Sequence, residues 1–433
     1  MTRTDSVNAP SVKNVDWRSI GLLLLVNLIA LSVFFSPGTG DVEVWEHWMH
    51  EIDANGLAAG YASSDTDYPP LCFVILFAVV KGAAALGTSP FLVLKLSLFI
   101  FLWATAICFY WFTRNLILTA ALEASLLLNS VALAYLDIYF APFLIAALFL
   151  FQRGHFNAGV FCYAVSCMIK WQPLIIGPFI LIYVLNAANA APIASEKIKR
   201  RIIPFVASGL LVLIPLLFLF RVPDVLDSFR KALTLHKFLS GYALNLGWLQ
   251  TWLLHVFDSG HYGPLQNGVI DWVVVRDPLI VWPNKILFFL SYFALLMAFA
   301  RGRKEFRQLI TYSMLGYLAY FCFNTGVHEN HLFLVCCVAW LLVFVEPDQF
   351  VRSINLSLAA NMNLFLFYGA FGQRVNPVFG GFDITVLFVP VNICLFAGFL
   401  IETLKTDGVD LGFLKIPPRV AKSDQPSITS SAT

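Results

Sequence analysis

Residues 91–112 read FLVLKLSLFIFLWATAICFYWF, and Lys95 is the one charged side chain in this stretch. A helix needs about 20 consecutive apolar residues to cross the hydrocarbon core of a bilayer, and this stretch is long enough. The whole chain has the same character, with 59% hydrophobic and 12% charged residues and a mean hydropathy of +0.77. Because soluble domains average about 25% charged residues, these values exclude a soluble globular protein. They predict an all-α polytopic membrane protein.

Apolar runs of similar length recur along the chain and are separated by short polar stretches. Thirteen such runs lie at 18–35, 69–86, 91–112, 116–134, 138–152, 156–170, 173–189, 202–220, 283–300, 308–327, 332–346, 353–371 and 385–402. If all of them cross the membrane, the basic clusters at 197–201 and 301–304 lie on the opposite side from the basic N-terminus. That arrangement contradicts the cytoplasmic bias of Lys and Arg.

The run at 69–86 is the exception that restores this bias. It begins with two prolines and contains Lys81, as expected of a juxtamembrane or re-entrant segment. If it does not cross, most of the 28 Lys and Arg residues join both termini in the cytoplasm. We therefore predict about twelve transmembrane helices, with both termini cytoplasmic and with juxtamembrane helices in two large external loops. The short loops favour the plasma membrane of a prokaryote over the endoplasmic reticulum.

This topology divides the chain into five parts. We predict a disordered cytoplasmic N-terminus at 1–17, an N-terminal transmembrane module at 18–220 that includes the external loop 36–90, a large external loop at 221–282, a C-terminal transmembrane module at 283–402 and a cytoplasmic tail at 403–433. The aromatic stretch 242–257 has two interpretations. It lies along the membrane interface with Trp at headgroup depth, or it forms a short buried loop helix.

Several classes of function are excluded by what the polar stretches contain. The net charge is +2, and no basic patch is large enough for nucleic acid. All eight cysteines lie within apolar runs, without the paired spacing of a zinc site or a disulfide framework. No glycine-rich loop that cradles phosphate is present, so no nucleotide cofactor is expected. We expect a monomer.

The first external loop carries an acidic and aromatic segment, GDVEVWEHW, at 40–48. Asp41 follows the first helix closely and so lies near the membrane surface, where a carboxylate can reach a lipid-borne group. If the segment is helical, Trp45 and Trp48 share a face with Asp41, and an aromatic face beside an acid suits a sugar ring. The alternative is that Asp41 only caps a helix beginning at Val42.

Three further polar groups lie at helix ends on the same predicted side of the membrane. They are Asp137, the segment KWQPL at 170–174 and the segment VHENH at 327–331. Ionisable residues at membrane depth are costly and usually face a polar cavity or a partner, so the group predicts a functional site. For a single member a packing role is the alternative, such as Lys170 pairing with Asp137.

The segment at 327–331 has two chemical interpretations. His328 and His331 are spaced to bind a divalent metal on a helix with Glu329 nearby, but no third ligand is evident, so this interpretation is the less favoured one. A phosphate site is favoured, because cations beside a phosphoryl leaving group stabilise the charge that develops on it. Lys170 and His328 are the candidate cations.

Taken in order, these segments resemble the GT-C glycosyltransferases, membrane enzymes that use polyprenyl-phosphate sugars as donors. The acidic first loop with Asp41 is similar to theirs, and DYPPL at 67–71 is similar to a segment of the endoplasmic-reticulum glucosyltransferases that use dolichol-phosphate-glucose. Asp137 with KWQPL at 170–174 is similar to segments of bacterial and GPI-anchor mannosyltransferases. VHENH at 327–331 is similar to their late HEK or HEN segments. The resemblance covers residues from about 17 to 346.

The resemblance implies an inverting glycosyltransferase with a GT-C-like helical bundle. It would move a sugar, expected to be a hexose such as mannose or glucose, from polyprenyl phosphate to a lipid-linked or glycan acceptor on the non-cytoplasmic face, in cell-envelope glycan biosynthesis. Asp41 would be the general base. The residues that would bind the donor are Glu43, Trp45, Trp48, Asp67, Tyr68, Asp137, Lys170, Gln172, His328, Glu329 and His331. It implies no metal or organic cofactor, and it implies the donor, the acceptor and membrane lipids as partners.

Two other functions share part of this pattern. A secondary transporter also has about twelve helices with Pro and Gly interruptions, but it places its charged residues near the bilayer midplane. A ligase or polymerase of lipid-linked glycans also has a large external loop, but it should use external arginines. The external arginines predicted here are few, namely Arg221, Arg230, Arg276 and Arg374.

Overall fold

All thirteen apolar runs form helices in the computed structural model, which describes residues 17–189, 194–410 and 415–417. The helices are α1 Trp17–Ser32, α2 Asp41–Asn55, α3 Leu57–Ser63, α4 Pro70–Leu86, α5 Pro90–Thr113, α6 Leu116–Leu127, α7 Ala141–Gln152, α8 Phe156–Ile169, α9 Gly177–Asn189, α10 Ala194–Phe220, α11 Val222–Thr234, α12 Leu246–Phe257, α13 Ser259–Tyr262, α14 Pro278–Arg301, α15 Phe306–Phe323, α16 Phe333–Val345, α17 Phe350–Tyr368 and α18 Phe388–Asp407. The predicted disordered N-terminus at 1–17, apart from Trp17, and most of the tail at 403–433 lie outside the described residues.

The all-α membrane class is confirmed, whereas the number of transmembrane helices stays a prediction. Four helical stretches are long and apolar enough to cross a membrane: Pro90–Thr113, Ile202–Phe220, Pro278–Arg301 and Ile384–Asp407. Seven further apolar helices among the described residues are shorter, with 10–17 residues each. The predicted exception at 69–86 is one of these, a helix of 17 residues with proline at its first turn and Gly87 in the left-handed conformation at its end.

Among the described residues, strands are confined to three pairs, and each strand has two residues. They are β1 Ser240–Gly241, β2 Val327–His328, β3 Val378–Phe379, β4 Phe382–Asp383, β5 Val409–Asp410 and β6 Lys415–Ile416. The first two pair in parallel, and the others form antiparallel pairs in chain order. The β1–β2 pair joins the large loop at 221–282 to the segment that carries His328.

A buried irregular segment between α6 and α7 interrupts the regular bundle. It consists of a π-helical turn at Leu128–Ala132, Ala134 with a φ of 61° and a 3₁₀ turn at Leu136–Tyr139. An alanine pays a strain energy in the left-handed region, so its surroundings must hold it there. We call residues 128–139 the platform, because the residues described below are anchored to it.

Side chains from two neighbouring elements satisfy the carbonyl groups of the platform. The Lys95 amine is completely buried and donates to the carbonyls of Val131 and Ala132 and, at 3.1 Å, to the Ser36 hydroxyl. Ser36 itself donates to the carbonyl of Ala132. Buried carbonyls without hydrogen bonds are costly, so Lys95 stabilises a backbone conformation that the helix ladder alone cannot satisfy.

The aromatic stretch at 242–257 forms a short loop helix, α12. The first turn of this helix is buried, as in the second of the two interpretations. Asn245 caps α12 by accepting from the backbone N–H of Trp248 at 3.1 Å. The Trp248 ring is completely buried and its Nε1 donates to the Thr385 hydroxyl at 2.8 Å. The second half of the helix is more open, since Leu253, Val256 and Phe257 are 36%, 43% and 79% exposed.

Lys95→Met should destabilise the protein by about 1–3 kcal/mol, because it leaves the buried carbonyls of the platform without a donor. Thermal unfolding in detergent measures the change. The matched control is Lys81→Met, whose side chain is 53% exposed and whose loss should change the free energy of unfolding by less than about 0.5 kcal/mol. An unchanged midpoint for Lys95→Met contradicts this role.

Candidate active site

The candidate active site lies where several chain segments end or begin. The first residue of α2, the end of α8 and the platform meet there with the loop after α11 and the segment 327–331. The backbone at a helix end lacks partners within the helix, and in an apolar bundle it must find them inside the protein. Polar side chains therefore concentrate at these ends.

A buried ion pair holds the centre of the cluster. The Lys170 amine pairs with Oδ1 of Asp137, and the two side chains are 8% and 0% exposed. The same amine donates to the Tyr68 hydroxyl at 2.9 Å. Oδ2 of Asp137 accepts from Nδ2 of Asn330 at 2.8 Å and from Nδ2 of Asn129 at 3.3 Å. Three predicted donor-binding residues, Tyr68, Asp137 and Lys170, are thus in direct contact.

Asp41 is the first residue of α2, and it does not cap this helix. Gly40 occupies the N-cap position, and no side chain makes a capping hydrogen bond. The Asp41 carboxylate has no hydrogen bond or ion pair with any residue in the described ranges. The side chain is half-buried, so its carboxylate is available to a ligand.

Two close backbone approaches position the loop before Asp41. Thr39 donates its N–H to the carbonyl of Leu133 in the platform at 3.1 Å. Gly38 has a φ of 80°, and a Cβ added to Gly372, in the loop after α17, would lie 1.9 Å from the Gly38 carbonyl oxygen. Only glycine fits at such a contact. The loop that follows α17 therefore rests directly on the loop that carries Asp41.

The surroundings of Asp41 keep its carboxyl group close to titration at neutral pH. Burial raises the pKa of Asp41 to about 6, although the nearby ammonium of Lys170 opposes this shift. The negative charges of Asp137 and Asp67 add to the rise. A carboxyl group in this range accepts a proton more readily than an ordinary aspartate does, and it is still ionised at pH 7.

A second acidic residue forms a network with two imidazole rings. Nε2 of His236 lies 3.3 Å from Oδ2 of Asp67, and the His236 ring packs edge-on against the His328 ring at 4.4 Å. Burial raises the pKa of Asp67, but the hydrogen bond from His236, together with electrostatic attraction from His236, His328 and Lys170, lowers this pKa below the ordinary value. Burial, with the neighbouring His236, lowers the pKa of His328 to about 3. His328 is therefore neutral, and its Nε2 has no hydrogen-bond partner among the described residues.

The β1–β2 pair fixes the position of His328. Gly241 lies beside His328 in this pair, and a Cβ at Gly241 would approach Nδ1 of His328 to 2.9 Å and the Phe238 ring to 2.8 Å. The missing side chain lets the imidazole pack against the loop from α11. The same glycine therefore allows the Phe238 and His328 rings to pack together, at 5.1 Å.

Glu329 forms the floor of the cluster. Its Oε1 accepts from the hydroxyls of Tyr135 and Tyr368, the latter at 3.3 Å. Its backbone carbonyl accepts from Nδ2 of Asn363 at 3.0 Å. The other carboxylate oxygen, Oε2, lies 3.9 Å from Nδ1 of His328. Since Glu329 is 4% exposed, it is held from several helices rather than presented to solvent.

Of the three aromatic residues predicted to bind the donor, Trp45, Trp48 and Tyr68, only Tyr68 is accessible. Trp45 and Trp48 are each 3% exposed, and their rings lie 5.4 and 5.2 Å from the Tyr68 ring. The Trp45 Nε1 donates to the carbonyl of Ala134 in the platform at 3.1 Å. Tyr68 is half-buried, so it presents the ring that a ligand can reach, and the two tryptophans support it from behind.

The remaining predicted residues differ in their placement. Gln172 is buried, and neither its side-chain oxygen nor its nitrogen has a hydrogen-bond partner among the described residues. The His331 ring lies beside the His328 ring, with 5.5 Å between the ring centres, and its Nδ1 lies 3.0 Å from the Tyr320 hydroxyl. Glu43 is exposed and contributes no hydrogen bond or ion pair to the cluster. The described residues contain no group of three His, Cys, Asp or Glu that could hold a metal ion, and the absence of a metal stays a prediction.

The members of the cluster that sequence reasoning missed include Tyr135, His236 and Tyr368. Each lies far along the chain from its partner, and each partner is revealed only by the packing of the bundle. The signal that was available is weak. His236 belongs to the external loop predicted on the same side as Asp41, where it stands among basic and aromatic residues.

No family model matches the chain, and no curated protein matches it. Among solved structures, the chain is similar to the crystal structure of ArnT from Cupriavidus metallidurans bound to undecaprenyl phosphate. The two share 14% sequence identity at a TM-score of 0.47, over 89% of this chain and 71% of that chain. The function proposed below rests on the side-chain geometry of the site.

Lys170→Met alone should lower the free energy of unfolding by about 3–5 kcal/mol, because it leaves the Asp137 carboxylate buried without its counter-ion. The double variant Lys170→Met with Asp137→Asn should recover part of this loss, since it buries no charge. Thermal unfolding in detergent measures the free energy of unfolding of Lys170→Met, of Asp137→Asn and of the double variant. If the double variant loses as much of this free energy as the two single variants added together, the two residues are not coupled.

Proposed function

We propose that this protein is an inverting glycosyltransferase that moves a hexose, such as mannose or glucose, from a polyprenyl-phosphate donor to a lipid-linked or glycan acceptor on the non-cytoplasmic face of the membrane. The observation that carries the proposal is a half-buried carboxylate, Asp41, without a partner and with a raised pKa, beside a buried cluster of nitrogen donors. A base and an anion site side by side are what transfer from a phosphate leaving group requires.

The proposed reaction begins with the acceptor. Asp41 takes the proton of an acceptor hydroxyl, and the oxygen attacks the anomeric carbon of the donor sugar. The bond between this carbon and the phosphate oxygen breaks, and its electron pair leaves with the phosphate. Attack from the face opposite the phosphate inverts the configuration at the anomeric carbon. The products are the glycosylated acceptor and polyprenyl phosphate.

The nitrogen donors are assigned to the departing phosphate. The Lys170 amine is pre-oriented by Asp137 and Tyr68, so it loses little freedom when it contacts an anion. His328 acts as a neutral N–H donor through its unpartnered Nε2. This refines the expectation that His328 serves as a cation. The unpartnered amide of Gln172, two residues after Lys170, is a further donor.

The sugar itself is assigned to the space between these groups. Tyr68 offers an aromatic ring next to the Lys170 amine, and aromatic rings pack against the apolar face of a pyranose while hydroxyl groups bond to neighbouring polar atoms. Asp67, held by His236, is the nearest additional carboxylate acceptor for sugar hydroxyls. The large aromatic supports behind Tyr68 make this wall rigid.

The competing functions are less well supported by the placement of charges. The cluster lies at helix ends, whereas a transporter would place it in the middle of broken helices. Three of the four external arginines are engaged elsewhere in carboxylate pairs: Arg221 with Asp224, Arg230 with Asp227 and Arg374 with Asp271. A ligase that depends on arginine in the site is therefore disfavoured.

Asp41→Asn should lower the transfer rate by at least about 100-fold, because it removes the general base while keeping the shape of the side chain. The assay uses right-side-out proteoliposomes, polyprenyl-phosphate mannose or glucose as donor and externally added octyl glycosides as acceptors, with product detected by mass spectrometry. Glu46→Gln, an exposed change on the same helix, is the matched control. Wild-type activity in Asp41→Asn refutes the assignment of the base, and product formed only with internal acceptor refutes the proposed face.

The transfer rate should depend on pH through Asp41. The base works only when ionised, so kcat/KM should fall as the pH drops through about 6, the raised pKa of Asp41. The imidazole of His236 lowers the pKa of Asp41, so His236→Gln should move the acidic limb to higher pH. A wild-type profile that stays flat between pH 5 and 8 contradicts this role for Asp41.

A further inference from the structure

The large external loop contains an open cleft of about 500 Å³ outside the cluster described above. The cleft lies between the end of α12, the short helix α13 and the start of α14, and its polar lining consists of Asp258, His261, Tyr262, Arg276 and Asp277. Its volume lies in the range typical of sites for small organic ligands, about 300–1,000 Å³. No step proposed for Asp41 uses these residues.

The charged groups in the cleft are not consumed by contacts within the protein. The Asp258 carboxylate and the Arg276 guanidinium form no hydrogen bond or ion pair with any residue of the described ranges. Asp277 uses one carboxylate oxygen to cap α14, at 2.8 Å from the N–H of Leu279. Burial, followed by the negative charges of Asp258 and Asp277, raises the pKa of Tyr262, so both carboxylates are close to this ring. Two carboxylates therefore lie near the Tyr262 ring, and the Arg276 guanidinium lines the same cleft.

The composition of the lining selects the class of ligand. A metal ion is disfavoured, because no group of three possible ligands exists among the described residues. A phosphate is disfavoured as well, because two carboxylates oppose one guanidinium. A neutral polyhydroxylated ligand fits, since carboxylates accept from hydroxyl groups, the guanidinium donates to hydroxyl oxygens and the rings of His261 and Tyr262 offer faces for a pyranose.

An exposed track connects the cleft to the active site. Along the segment 272–276 the exposure alternates, so that Trp272, Val274 and Arg276 face outward while Val273 and Val275 are buried. Trp272 is 46% exposed. Side chains alternate in this way along any extended strand, which places the tryptophan, the valine and the arginine of the cleft in one line.

The end of this track lies against the imidazole cluster. The Trp272 ring is 5.9 Å from the Phe238 ring, and the Phe238 ring is 5.1 Å from the His328 ring. The backbone of Val274 pairs with that of Phe238 in an antiparallel bridge. The segment around Phe238 thus contacts both the track that leads from the cleft and the His328 ring.

We propose that the acceptor is an oligosaccharide chain whose non-reacting sugar units bind along Trp272 and in the cleft between Asp258, Tyr262 and Arg276. This inference rests on the proposed glycosyl transfer and specifies the acceptor of that reaction. The reacting hydroxyl lies at Asp41, and the distal units add binding energy without taking part in the chemistry. The enzyme then extends a glycan that already has several units, so a preceding glycosyl transfer must supply its acceptor.

The decisive experiment measures binding without catalysis. α-Mannotetraose and maltotetraose are titrated against the full-length Asp41→Asn protein in detergent, with intrinsic tryptophan fluorescence and saturation-transfer NMR as readouts. At least one tetrasaccharide should bind, and Arg276→Ala or Asp258→Ala should weaken binding about tenfold, the loss expected for one charge-assisted hydrogen bond. Arg230→Ala, a change at an exposed arginine on the same loop, is the control and should leave binding unchanged.

A second measurement separates this inference from the proposed reaction. In the transfer assay, Arg276→Ala should raise the KM for a tetrasaccharide acceptor about tenfold and leave the KM for an octyl monosaccharide unchanged. Failure of both tetrasaccharides to bind, or equal binding by Arg276→Ala and Arg230→Ala, overturns the cleft assignment even if monosaccharides are glycosylated. Absence of any transfer by the wild-type protein overturns the proposed reaction, while the binding titration still decides the cleft.

Discussion

The ion pair between Lys170 and Asp137 is the constraint around which the site is built. It joins the end of α8 to the platform, and each partner has further hydrogen bonds that reach other helices. A buried pair of this kind is costly to desolvate and stabilises a fold only when its remaining hydrogen-bonding positions are satisfied. Here Tyr68, Asn129 and Asn330 satisfy them, so the position of one charge specifies the positions of three neighbouring segments.

The platform shows why an apolar bundle can hold an irregular backbone. Its carbonyl groups point away from the helix ladder, and Lys95, Ser36 and Trp45 donate to them. The same donors bring the loop after α1 and the start of α2 against the platform, which places Asp41 beside the ion pair. The stability of the fold and the geometry of the site therefore depend on the same hydrogen bonds.

Much of the fold could be predicted from the sequence, because long apolar runs have one structural solution in a membrane. All thirteen runs are helical. How many of these helices cross the membrane depends on the length of each helix relative to the bilayer, and composition alone does not define this. Asp41, Asp137, Lys170 and the segment 327–331 could be predicted because charge among apolar residues is conspicuous.

Other parts of the site could not be predicted, since they depend on contacts between distant segments. A tyrosine such as Tyr135 or Tyr368 has no unusual local context, and its bond to Glu329 exists only in the folded bundle. Whether Asp41 caps a helix or keeps a free carboxylate depends on where that helix begins. The helix begins at Asp41 instead of Val42, one residue earlier than a capping role requires. The deep burial of Trp45 and Trp48 likewise follows from packing against Tyr68 and the platform.

The contact between Gly38 and Gly372 has a consequence for biosynthesis. The loop that carries Asp41 leaves the ribosome early, whereas the loop that covers it, and Tyr368 just before it, are translated near the far end of the chain. During insertion of the intervening helices, Asp41 is already present. The loop around Gly372 and the hydrogen bond from Tyr368 to Glu329 are still missing. The candidate site is therefore complete only when α17 has joined the bundle, and a chain that stops before α17 carries an incomplete site.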